Sequence, residues 1–156
     1  MMTWRAKAMA AFEAACVMHL AGLTLRPLGM KRWLVWLAKA PAWRTSNAPA
    51  EQSLRLAIAA VRWVERHSLF RWRARTNCLP RALTLSWLLA RRNVSSQLRV
   101  GVRRDERGAL AAHAWVEVNG RPVNEPADVR AQFAAFDRSI QSYQIGASSD
   151  ARSRTS

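Results

Sequence analysis

Apolar and polar positions recur with two different periods along this chain, and the period changes near residue 93. Before that point the spacing is helical. Across 49–67, Leu54, Ile58, Val61 and Val64 form an apolar stripe while Arg55, Arg62 and Arg66 face elsewhere, which predicts an amphipathic helix. Helices are also predicted over 3–24 and 30–39, punctuated by Pro27, Pro41 and the stretch TSNAPAEQ. After Cys78, the residues Leu79, Ala82, Leu83, Ser86, Leu89 and Ala90 keep helical spacing. Thr76 or Asn77 suits the N-cap, Pro80 the first turn, and Asn93 a left-handed stop.

Beyond Asn93 the period falls to two. QLRVGV (97–102) and AHAWVEV (112–118) read as strands around a charged loop, RRDERG (103–108), and an Asn119-Gly120 turn leads into RPVNE. Helices followed by an antiparallel sheet predict an α+β domain. Residues 1–48 are expected to be a helical extension packed on a core at 49–139, with a polar, disordered tail at 140–156.

Composition narrows the function classes. The chain has 156 residues, half of them hydrophobic, enough for one proper core. Two cysteines form no disulfide framework, and no Cys/His spacing suggests zinc, so no metal or cofactor is expected and the reducing cytoplasm is the expected compartment. The formal net charge of +15 raises nucleic acid as a partner. However, the charge is nearly all arginine, scattered through every segment, and aromatic RNA-binding signatures and glycine-rich phosphate loops are absent. Nucleic acid is therefore not the expected partner.

Near the N-terminus, the apolar run 14–25 lacks a cleavage site and is shorter than the ~20 residues of a membrane span. It reads as a buried helix, with Cys16 in the core. The stretch KRWLVWLAKA (31–40) has the composition of a helix that can lie on a membrane surface, without requiring one.

The candidate chemistry centres on Cys78 and His113. A cysteine at a helix N-terminus, beside Arg75 and Arg81, is placed where backbone N–H groups and positive charge favour a thiolate. A thiol nucleophile needs a base, and the base needs a third group to orient it. A three-residue loop at 118–120 would set Glu117 opposite Arg121 and His113 opposite Glu125. A two-residue loop would instead put Asn124 on the histidine's face. Glu125 is preferred, with Asn124 as the alternative. Both His19 and His67 read as structural.

The cysteine at the helix start, the strand HAWVEV and the acid followed by proline resemble the transglutaminase-like cysteine peptidase superfamily. Within it, NCLPRALTLSWLLARR, LRVGVRRDERGALAAHAWVEVNGRPVNEP and ADVRAQFAAF resemble the leader peptidases of lasso-peptide biosynthesis, over about 50–137. The resemblance implies a papain-like core and a Cys78–His113–Glu125 triad, with Glu125 standing where aspartate is usual. It further implies removal of the leader from a precursor peptide, followed by macrolactam closure by an ATP-dependent, asparagine-synthetase-like cyclase. Nothing before residue 50 resembles the leader-recognition domain of some relatives, so a separate leader-recognition protein is expected. The backbone N–H of Cys78 is the expected oxyanion donor, with Asn77 and Trp115 as candidates for a second. Rival readings are acyl transfer to an amine by the same residues and a non-catalytic basic binding module.

Overall fold

The computed structural model describes residues 3–38, 49–67 and 78–135. The expected N-caps Thr76 and Asn77, the neighbouring Arg75 and the tail beyond 139 lie outside them. Three helices, α1 (Trp4–Ala38), α2 (Ala50–His67) and α3 (Cys78–Ala90), precede β1 (Gln97–Arg104), β2 (Leu110–Val118) and β3 (Arg121–Pro122). A four-residue turn of helix, α4 (Val129–Gln132), and β4 (Ala134–Ala135) follow. The fold is α+β, with an antiparallel sheet of order β3-β2-β1-β4.

α3 is the centre of the core. Ten of its residues are buried, among them Leu83, Leu85, Leu88 and Leu89. A helix that is apolar on every side has to be covered on every side, and α3 packs against α1, α2 and β2 together. Asn93 ends it with φ 56°, the left-handed stop expected from the sequence.

α1 is two arms joined at Gly29, whose φ of 72° and ψ of 162° lie outside any helix. The Trp33 indole donates to Thr24 Oγ1 at 3.1 Å. Nine residues of continuous helix would separate these positions by ~13.5 Å and place them on opposite faces, so the chain bends sharply at the Pro27–Gly29 region. The second arm then clasps α3, with Trp36 stacked on Trp87 at 4.2 Å.

Three expectations of burial are corrected. The run 14–25 is only half a core element: Ala14, Val17 and Ala21 are buried, but Leu20 and Leu23 are exposed. Cys16 is exposed too, on the outer face of the same arm. By length and composition, residues Trp4–Leu37 also exceed what a membrane crossing needs, because the helix continues well beyond the run that first draws attention. In α2 the buried face is Ser53, Ala57, Ala60, Val61 and Val64. Leu54 and Ile58 sit on its flank, since the small alanines let α2 approach its neighbours more closely than larger side chains would.

The hairpin register also differs from expectation. Val118 pairs with Arg121 and Glu117 with Pro122, leaving a two-residue loop, Asn119-Gly120, with φ of 51° and 73°. Two successive positive φ values make a turn whose twist matches that of the strands, and Asn-Gly is the dipeptide that best tolerates it. The three-residue loop is therefore not formed.

Gly101 lies opposite His113 in the β1–β2 ladder. A Cβ there would sit 3.0 Å from each of three atoms: Ala134 O, Phe133 Cβ and Trp115 Cη2. The first two belong to backbone or near-backbone atoms that cannot swing aside. Gly101→Ala is expected to destabilise the fold by about 1–3 kcal/mol, read as a lower urea midpoint with an unchanged slope.

Candidate functional site

β2 sorts its side chains by alternation. Ala114 and Val116 enter the helical core, whereas His113, Trp115 and Glu117 share the other face. Cys78 opens α3, half-buried, and packs against the core cluster. Pro80 follows in the first turn, where its missing N–H leaves no gap in the helical ladder.

The contact between His113 and Glu125 is present: His113 Nε2 lies 3.3 Å from Glu125 Oε1. It forms by a different route from the one the loop argument supplied. Continued pairing from the two-residue turn would set Glu125 opposite Ala114, on the core face. Instead, the ladder ends at Pro122, and the chain bends through 123–125. Asn124 Oδ1 accepts the backbone N–H of Val116 at 2.8 Å, standing in for a strand carbonyl. Asn124 is thus tied to the backbone, and Glu125 is free to turn towards the imidazole.

Arg81 connects this pair to the cysteine helix. It lies three residues after Cys78, on the same helical face, and forms ion pairs with Glu125 and with Glu65 of α2. The sequence marks Arg81 as the single charge inside an apolar helix. It does not reveal that the guanidinium joins α2, α3 and the segment after β3.

The His113 ring is half-buried. Phe133 stacks on it with centroids 5.0 Å apart, and the Arg103 guanidinium covers Phe133 at 4.9 Å. Desolvation by burial, then the charges of Arg81 and Arg103, hold the His113 pKa below its usual 6.5. This direction favours the neutral imidazole. Phe133 and Arg103 have no signal of their own in the sequence, because the end of α4 and the end of β1 bring them to the histidine only in the folded chain.

Glu117 carries a second polar cluster, one the strand pattern conceals. It is 1% exposed and, contrary to expectation, does not oppose Arg121. It accepts hydrogen bonds from Trp115 Nε1 at 2.8 Å, Arg99 Nε at 3.2 Å and Arg130 Nε at 2.6 Å. The Trp115 indole N–H is thereby engaged in the interior and is not available as an oxyanion donor. Asn77, the other candidate, lies outside the described residues. Arg130 anchors α4, and α4 delivers Phe133 to the histidine. No group of three or more His, Cys, Asp or Glu among the described residues could hold a metal ion.

Burial raises the Glu117 pKa, but hydrogen bonds from Arg130, Trp115 and Arg99, together with the Arg130 charge, outweigh it and leave the value below the usual 4.5. A carboxyl whose pKa is depressed on folding contributes stability above its unfolded pKa and loses it as pH falls through the folded value. Glu117→Gln leaves the buried donors poorly matched and should cost about 1–3 kcal/mol near neutral pH. Stability measured by denaturant titration should also fall less steeply below about pH 4.5 than in the unsubstituted protein.

A search of curated proteins gave no match, nor did a search of solved structures. A family model described as the transglutaminase-like superfamily does match, over residues 7–137. That span takes in most of α1, all of α2 and α3, the hairpin bearing His113, the segment with Glu125, and the β4 edge. On this match over most of its length, the chain belongs to the transglutaminase-like superfamily.

Proposed function

We propose that the chain is a cysteine peptidase that removes the leader from a ribosomally made lasso-peptide precursor before a separate ATP-dependent cyclase closes the macrolactam. The observation that carries the reading is the His113–Glu125 contact, tied by Arg81 to the first turn of the helix that Cys78 opens. The resemblance of 50–137 to lasso leader peptidases supports the substrate class. In this reading the precursor is presented by a separate leader-recognition protein, in the cytoplasm.

The proposed steps use the neutral imidazole. Cys78 Sγ attacks the carbonyl carbon of the last leader residue as His113 takes the thiol proton. The developing oxyanion is met by the Cys78 backbone N–H at the helix start. His113 then gives its proton to the departing amine as the C–N bond breaks, leaving a thioester on Cys78. Water attacks the thioester, with His113 as base, and the leader acid leaves with regeneration of the thiol. Glu125 orients the ring and stabilises the transient imidazolium.

Precursor and adaptor protein incubated with the enzyme should yield leader and core peptide by mass spectrometry, and Cys78→Ala or His113→Ala should abolish both. Glu125→Gln should lower kcat by about a hundredfold with little change in KM, whereas Asn124→Ala should cost about 1 kcal/mol of stability and spare chemistry. A product cross-linked to an added amine, with no free leader acid, would overturn hydrolysis in favour of acyl transfer.

The low His113 pKa has a sign that can be checked. Its neutral form is favoured by folding, so this contribution to stability is present above about pH 6.5 and is lost as pH falls through the folded value. Arg81→Met removes a positive charge next to the ring and should raise the His113 midpoint in an NMR titration of the Cys78→Ala background. The acid-side loss of stability should shrink correspondingly.

A further inference from the structure

The first arm of α1 has two apolar faces, and the core uses only one. Ala10, Ala14, Val17 and Ala21 are buried. Met9, Phe12, Leu20 and Leu23 recur at helical spacing about a third of a turn away, with Cys16 between them, and all are exposed. Phe12 and Leu23 are 72% and 66% exposed. Only 28% of the most apolar window of this helix is buried inside the protein, far too little for a core helix.

Charge defines what can cover this face. Arg5 and Lys7 flank it at one end, and Arg26, Lys31 and Arg32 at the other; all five are exposed. The one carboxylate among the described residues of α1, Glu13, is turned inward to Arg91 and Arg92. The face is therefore apolar and positive, with no exposed anion of its own. A second copy would bring like charges together, each chain carrying +15. An anionic lipid surface supplies both missing partners, acyl chains for the stripe and headgroups for the cations.

We infer that α1 docks the protein on an anionic membrane surface, its first arm lying in the headgroup plane with Phe12 and Leu23 towards the acyl chains. The helix lies on the bilayer and does not cross it. Its opposite face is committed to α2 and α3, and the bend at Gly29 breaks the rod that a crossing would need. The inference stands independently of the peptidase reading.

Flotation of the full chain with phosphatidylcholine vesicles, with and without a third of phosphatidylglycerol, tests it. Binding should require the anionic lipid and weaken with salt. The double substitution Phe12→Ser/Leu23→Ser should reduce partitioning at least tenfold while leaving the thermal midpoint and precursor cleavage unchanged, because both side chains are exposed. Equal binding by the double variant would reduce the attraction to diffuse charge and overturn the docking face. A concentration-dependent dimer in sedimentation velocity that Phe12→Ser/Leu23→Ser abolishes, with no vesicle binding, would assign the face to a second copy instead.

Discussion

The structure depends on the burial of α3. A helix apolar on nearly all sides cannot rest on one surface, so α1, α2 and the sheet must close around it, and ten of its residues are buried. That closure creates one electrostatic problem. Arg81 is the helix's single charge, and a cation that loses most of its hydration is stabilised by pairing. Glu65 answers from α2 and Glu125 from the segment after β3. Because Glu125 is drawn to Arg81, it also comes within reach of His113. The pairing of a half-buried arginine thus helps to assemble the candidate site around the start of the cysteine helix.

A similar economy operates further along the same face of β2. Glu117 is nearly inaccessible, yet three donors meet it, and one of them, Arg130, fixes the short α4 turn that carries Phe133 against the His113 ring. Gly101 makes this possible from β1, because any side chain there would push Phe133 and Trp115 away. Glu125 directly, and the Glu117 cluster through Arg130 and Phe133, therefore hold the ring in place. Burial and the flanking arginines hold it neutral. Rigidity and proton affinity at this position have a common origin in how the sheet is packed.

α1 shows the reverse situation, an apolar face that the fold leaves open. The bend at Gly29 turns the second arm back to clasp α3 through Trp36 and Trp87, while the first arm keeps its outer stripe in solvent. That stripe is flanked by Arg5 and Lys7 at one end and Arg26 at the other. It sets the surface chemistry of the molecule as strongly as α3 sets its interior.

The sequence by itself offered Glu125 and Asn124 as rival partners for His113, and it determined the order of elements, the helical start at Cys78, the Asn93 stop and the Asn119-Gly120 turn. These are local signals: apolar period, Pro in a first turn, and residues that accept positive φ. Loop length was not legible, because one residue more or less in the turn costs little locally yet reverses every facing in the hairpin. The tertiary structure chose the two-residue loop. It then brought Glu125 to His113 by ending the ladder at Pro122 and seating Asn124 on the Val116 amide. Arg81, Phe133, Arg103 and the Glu117 cluster also belong to that level, since each acts on a residue far away in the chain. The exposure of Phe12, Leu20 and Leu23 was decided there as well. An apolar run on a helix does not say which of its faces the core will take, because that depends on which neighbour has a matching surface to bury it.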